Sequence, residues 1–263
     1  MTNLFESPRL TLKRAEHHIG DFNEAADDYT AAKSWTHFVD RTSQPGNDIY
    51  KIRFHPLPEM LPCILFDAAN NLRSVLDQIG YAAAVAARSQ SLKYIKFPFG
   101  PSRAEFLNNL AGGCKDLPQE VRLIFENSNA YPAGNIALWA VNKIANTNKH
   151  LAIKPLVIGN LSAFFNARIQ TKEFLAEAWS PGGAGIGWDQ QKNELSLMST
   201  PTAMSEAKVD MPLNIMLALE IEGIPELAGK SLAELLKNAR DEVERILSTV
   251  EAECVRLGFQ LGG

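Results

Sequence analysis

The segment from about Pro62 to Ser89 constrains this chain more than any other, because its apolar residues recur at helical spacing over its whole length. Advancing about 100° per residue gathers Leu65, Ala68, Ala69, Leu72, Val75, Leu76, Ile79 and Ala83 on one face. The opposite face carries Asp67, Asn70, Asn71, Arg73, Ser74, Asp77 and Gln78. A plain solvated face is normally built from Lys and Glu, the favourable helix formers. Amides, carboxylates and one guanidinium together indicate that something polar is held there.

The rest of the chain can be placed around this helix. Ser7 and Pro8 supply a capping hydroxyl and a first-turn proline, and predict a helix over 8–32. Between Trp35 and Phe54 the period changes to two, with turn residues Pro45-Gly46-Asn47-Asp48, which predicts a small hairpin (35–42 and 48–55). Pro56 and Pro58 then lead into the central helix. Lys93 to Pro101 reads as an extended connector whose aromatics enter the core. Short helices follow, one capped by Ser102 and stopped by Gly112-Gly113, the next opened by Pro118. Another runs from Asn135 to His150, with Ile136, Trp139, Ala140 and Ile144 facing inward.

Beyond His150 the pattern becomes that of strands. Leu151–Ile158 and Leu161–Ile169 flank a turn at Gly159-Asn160, Leu195 and Leu197 alternate, and so do Ile215, Leu217, Leu219 and Ile221. Ser231 and Glu234 form a capping box at the start of a final helix with a continuous apolar stripe, ended by Gly258. The expected fold is α+β: a helical half (about 1–150, with the hairpin at 35–55), then an antiparallel sheet and a closing C-terminal helix (about 151–263). All of 1–263 is expected to form a single domain.

Composition narrows the function classes. The net charge is −4 and no basic tract occurs, which argues against general duplex binding through many phosphate contacts. The three cysteines are widely spaced and form neither a Cys-x-x-Cys pair nor a zinc pattern, as expected in a reducing compartment. The first residues lack the apolar core of a signal peptide, and no run of about 18 apolar residues occurs. A cytoplasmic protein without a membrane segment, metal or cofactor is the expectation.

Two clusters are candidates for chemistry. On the central helix, Arg73 and Asp77 are four residues apart and can pair, flanked by Asn70, Asn71 and Ser74. They suit either an internal polar network, since a buried Arg must be paired, or a site with Asp77 as base or orienter and Arg73 as anion clamp. Further on, Asn142 and Asn146 lie one turn apart, with Asn148, Lys149 and His150 following. Cations at a helix C-terminus complement its dipole. Alternatively His150 acts as acid or base and Lys149 contacts a phosphate or carboxylate.

The string Asp67-Ala68-Ala69-Asn70-Asn71-Leu72-Arg73-Ser74-Val75-Leu76-Asp77-Gln78, followed by Phe97-Pro98 and then Asn146-Thr147-Asn148-Lys149-His150, resembles a family of uncharacterised bacterial proteins. Those proteins pair an Asp-x-x-His-Asn-Leu-Arg-Ser-x-Leu-Asp-His helix with a downstream Asn-x-Asp-Lys-His-Arg segment. The likeness covers roughly residues 8–160 and brings no established activity. The family-pattern histidines fall at Asn70 and Gln78, and the Asp and Arg of the second segment at Asn148 and Leu151. Carboxamides keep the hydrogen bonding but move no proton near neutral pH. The family's Arg-x4-His spacing is similar to that of the metal-independent ribonucleases of the HEPN superfamily, and here the His position is Gln78.

Three functional readings follow. The leading one is a binding protein for a small anionic ligand or a partner, with Arg73, Asp77 and His150 as the chemical groups and Asn70, Asn71, Asn146 and Lys149 as contacts. The second is a HEPN-like, degenerate ribonuclease acting on RNA, which a homodimer with paired central helices would accompany. The third is a structural or interaction protein in which the same groups serve as internal hydrogen-bonding glue. The glycine-rich stretch Ser180–Trp188 lacks the Lys-Ser/Thr of a phosphate-binding loop and reads as an inter-strand loop. His17 and His18 have no third ligand at metal spacing, and Cys63 has no evident partner.

Overall fold

A computed structural model describes residues 3–150, 156–170, 175–180, 187–189, 191–202, 208–210, 213–221, 224–227 and 230–262. The order of elements is α1 (Glu6–Ala31), β1 (Trp35–Asp40), β2 (Asn47–Phe54), α2 (Leu61–Ala86), α3 (Arg103–Gly113), α4 (Gln119–Asn127) and α5 (Ile136–His150). Then come β3 (Leu156–Gln170), β4 (Leu175–Ser180), β5 (Trp188–Asp189), β6 (Glu194–Pro201), β7 (Lys208–Asp210), β8 (Leu213–Ile221) and α6 (Leu232–Arg256). The fold is α+β, a helical half followed by antiparallel strands and a closing helix. Among the described residues, no helix is long and apolar enough to cross a membrane.

The chain divides into two compact units, one of Met1–Glu24, Met60–Pro155 and Leu232–Gly263, the other of Ala25–Glu59 and Leu156–Ser231. In the first unit α2 is the centre, packing on both α5 and α6. The apolar residues that helical spacing places on one face are all removed from solvent, with Leu72, Val75, Leu76, Ile79 and Ala83 at 0% exposure. Each such Val, Leu or Ile contributes roughly 1.5–3 kcal/mol on burial. The α6 stripe of Leu232, Leu235, Ala239, Val243, Ile246 and Val250 is buried likewise. Gly258 closes that helix at φ +77, with its N–H bonded to the Val255 carbonyl.

In the second unit β1 and β2 form the expected hairpin, but it is not a free-standing one. β2 pairs antiparallel with β6, giving the order β1-β2-β6-β5. One face of this sheet is ionic. Lys51 Nζ lies 2.7 Å from Asp40 and 3.5 Å from Glu194, and Arg53 donates to Glu194 through Nε and Nη2 at 3.0 and 2.6 Å. Arg53 also stacks 4.8 Å above the Phe38 ring. Because Glu194 is buried, two cations reaching across from β2 are what make its charge tolerable there. The end of β2 is tied to α1, whose Tyr29 hydroxyl donates to the His55 carbonyl at 2.5 Å.

Three expectations are corrected. Helix α1 begins at Glu6, so Ser7 and Pro8 lie inside its first turn; Asn3 caps the entry instead, accepting from the Phe5 N–H at 2.9 Å. Gly159-Asn160 is no turn: β3 runs through it as one strand, with a register shift against β8 between Ile158 and Asn160. In the connector Phe97 and Phe99 enter the core, but Tyr94 is 62% exposed. Residues 151–155, part of the first expected strand, lie outside the described residues.

Leu72→Ala is expected to cost about 2–5 kcal/mol in chemical denaturation, as for a large-to-small change in a fully packed core. A second expectation concerns acid. Lys51 foremost, and then Ser43 and the backbone of the 40–43 turn, hold the Asp40 carboxyl well below the usual carboxylate range. A depressed carboxylate contributes stability above the unfolded pKa of about 3.9 and loses it as pH falls below that value. Asp40→Asn should therefore flatten the acid limb of a melting-temperature profile between about pH 5 and 2. An unchanged acid limb would remove Asp40 as its cause.

Candidate functional site

The polar face of α2 can be followed residue by residue within the first unit. Ser74 turns back on its own helix, its hydroxyl donating to the Asn70 carbonyl at 2.8 Å. Asn71 likewise donates from Nδ2 to the Asp67 carbonyl at 2.7 Å. These are local bonds of the kind short polar side chains make inside helices. Asn70 and Asn71 are half-buried.

Asp77 and Gln78 act over longer range. The Asp77 carboxylate accepts the backbone N–H of Phe97 at 2.9 Å, gripping the connector between α2 and α3. On the adjacent residue, the Lys96 carbonyl accepts the Cys114 thiol at 3.2 Å, and the Phe99 carbonyl accepts Asn109 Nδ2 at 2.7 Å. The aromatics delivered this way pack at a tilt in the core, Phe97 with its centroid 4.8 Å from that of Phe125 and 5.0 Å from that of Phe99. Gln78 instead receives α1: its Oε1 accepts the hydroxyls of Ser7 at 3.2 Å and Thr11 at 3.1 Å. The Gln78 amide therefore joins two helices.

Arg73 behaves differently. It does not pair with Asp77 one turn along, as the spacing allowed; its Nη1 donates to Asn146 Oδ1 on α5 at 2.7 Å. Asn146 is in turn oriented by Asn142, to whose Oδ1 it donates from Nδ2 at 2.9 Å. The Arg73 Nε is buried without a hydrogen-bond partner, while the bond to Asn146 lies at the exposed surface. The guanidinium thus emerges from the helical packing with Nε enclosed, Nη1 anchored, and no carboxylate partner among the described residues. Arg73, Asn142 and Asn146, from both sequence clusters, come together as a chain of hydrogen bonds. Lys149 and His150 close α5, and their side chains, like that of Asn148, lie outside the described residues.

The remaining candidates are placed as follows. His17 and His18 each approach Asp21 at 3.8 Å, and among the described residues no group of three or more His, Cys, Asp or Glu is set to hold a metal. Residues 181–186 of the glycine-rich stretch lie outside the described residues. Two surface recesses sit elsewhere on the first unit, one along α1 from Asn3 to Arg14, the other between the 127–137 segment and Asn238 and Glu242 of α6. Sequence reasoning missed the grip on the connector, because a side chain bonded to a backbone N–H twenty residues away leaves no periodic signal.

Comparisons with models of protein families, with curated proteins and with solved structures find no match to this chain.

Burial pushes the Cys114 thiol up to about 12 and the Cys254 thiol up to about 11, whereas Cys63 is half-buried at the start of α2. A thiol-specific reagent at pH 8 should modify Cys63 first and reach the other two only on unfolding. Because an unfolded thiol ionises near pH 8.5, the unfolded chain binds fewer protons than the native one from there up to about 12. Stability should therefore fall as pH rises through that window, less steeply in Cys114→Ala. Rapid labelling of Cys114 in the native state would overturn this picture.

Proposed function

We propose that the protein binds a small anionic ligand through Arg73 on its helical unit. The carrying observation is the state of the guanidinium: Nη1 is fixed by the neutral carboxamide of Asn146, no carboxylate among the described residues pairs with it, and the anchored end lies at the surface. A guanidinium without a carboxylate partner is suited to an oxyanion such as a phosphate or carboxylate, which it can engage through two N–H groups at once. Its neighbours on α2 support the same division of labour. Asn71, Ser74, Asp77 and Gln78 bond to backbone or to α1, which accounts for their polarity structurally. Asn70 stands beside them on the same face, half-buried.

Lys149 and His150 follow Asn146 by three and four residues on α5, and in this reading they stay candidate contacts, as a cation and a titratable group. Asp77 holds the connector through the Phe97 N–H, and in this reading it also helps to organise the site.

The test titrates inorganic phosphate and a 5′-phosphorylated single-stranded RNA into the wild type, Arg73→Ala and Arg73→Lys, followed by calorimetry and by gel analysis of the RNA. Loss of a charge-assisted contact of about 1.5–3 kcal/mol weakens binding by roughly ten- to a hundredfold. Arg73→Ala should show that loss with the fold intact by circular dichroism, and Arg73→Lys should keep part of the affinity. Equal phosphate binding by wild type and Arg73→Ala would overturn the proposal. RNA cleavage that requires Arg73 would replace it with the nuclease reading.

A further inference from the structure

The partner of Arg73 stands apart from the partners of other arginines in this molecule. Arg9 is held by Glu251, Arg53 by Glu194, Arg240 by Glu16, Arg245 by Glu242 and Arg256 by Glu253. In each case a carboxylate both fixes the guanidinium and cancels its charge, the usual solution for a structural arginine. Arg73 is fixed by a carboxamide, Asn146, itself steadied by the carboxamide of Asn142. A carboxamide oxygen accepts the same hydrogen bond without contributing a charge.

We propose that Asn146, oriented by Asn142, is the positioning residue of the Arg73 anion site, and that its neutrality keeps the site attractive to anions. The inference rests on the anion-binding reading above and adds what tunes it. Were Arg73 only internal glue, a carboxylate at position 146 would serve better, because it would satisfy the guanidinium and neutralise it together. As a site, the arrangement needs the opposite. The arginine must be aimed, since an untethered side chain loses rotamer freedom on binding, and must keep its full positive charge for the incoming anion.

Stability and binding therefore respond to Asn146→Asp in opposite directions. A carboxylate at the present Oδ1 position, 2.7 Å from Nη1, makes an ion pair while Asn142 turns its amide over to donate. The melting temperature should stay level or rise. Affinity for inorganic phosphate should fall at least tenfold, since the anion meets a neutral pair in place of a cation. Asn146→Ala, which keeps the charge and removes the aim, should weaken binding by several fold only, and Asn142→Ala by less.

The experiment measures the phosphate dissociation constant and the melting temperature for the full-length wild type, Asn146→Asp, Asn146→Ala and Arg73→Ala. In parallel the 15Nε resonance of Arg73 reports ligand contact directly. The expected result is a stable Asn146→Asp protein whose Arg73 signal no longer moves with phosphate. If Asn146→Asp binds phosphate within twofold of the wild type while Arg73→Ala does not bind, the positioning inference fails and the anion site stands. If the wild type itself shows no Arg73-dependent phosphate binding, the anion reading fails and this inference with it.

Discussion

Removing one face of α2 from water is the constraint on which the helical unit depends. Leu65, Leu72, Val75, Leu76 and Ile79 are packed against α5 and α6 with essentially no exposure, and a helix sealed so completely on one side has its other side fixed in place. Rotation about the helix axis would expose several kilocalories of apolar surface at once. The polar residues opposite are therefore presented in a set direction by hydrophobic packing, before any of them forms a hydrogen bond. Such backing by a rigid element gives a half-buried arginine a definite place at the surface.

That fixed polar face is used in two ways. Asp77 and Gln78 reach outward and gather other parts of the chain, the connector through the Phe97 N–H and α1 through two hydroxyls. In doing so they satisfy backbone and side-chain groups that would otherwise be costly to bury. Among the described residues Arg73 gathers a neutral amide and no carboxylate. The ionic face of the β1-β2-β6 sheet shows the contrasting arrangement. There Glu194 is buried against Lys51 and Arg53, each charge is met by an opposite one, and the outcome is strand pairing.

The sequence by itself determined much of the helical architecture. A 3.6-residue period of apolar side chains is a local property, so the buried faces of α2 and α6 could be listed from spacing alone, and Ser102 caps its helix as its chemistry requires, its hydroxyl accepting the Glu105 N–H. The α1–β1–β2 succession and the alternation of β6 and β8 were legible for the same reason. Local signals also misled where context prevailed: Ser7-Pro8 has the chemistry of a helix start, yet the helix already begins at Glu6 and both lie inside its first turn, and Gly159-Asn160 has the chemistry of a turn, yet a bulge on a long strand accommodates it.

Only the tertiary structure decided which strand neighbours which and which partner each polar group takes. The pairing of β2 with β6 joins residues more than 140 positions apart, a separation over which no sequence period carries information. Helical spacing offered Arg73 one partner, Asp77 on its own helix. Its hydrogen bond goes to Asn146, on the helix that packs directly against α2, while Asp77 accepts the Phe97 N–H. Residue types at helical spacing state what a face can offer. What that face meets is set by packing between elements distant in the chain.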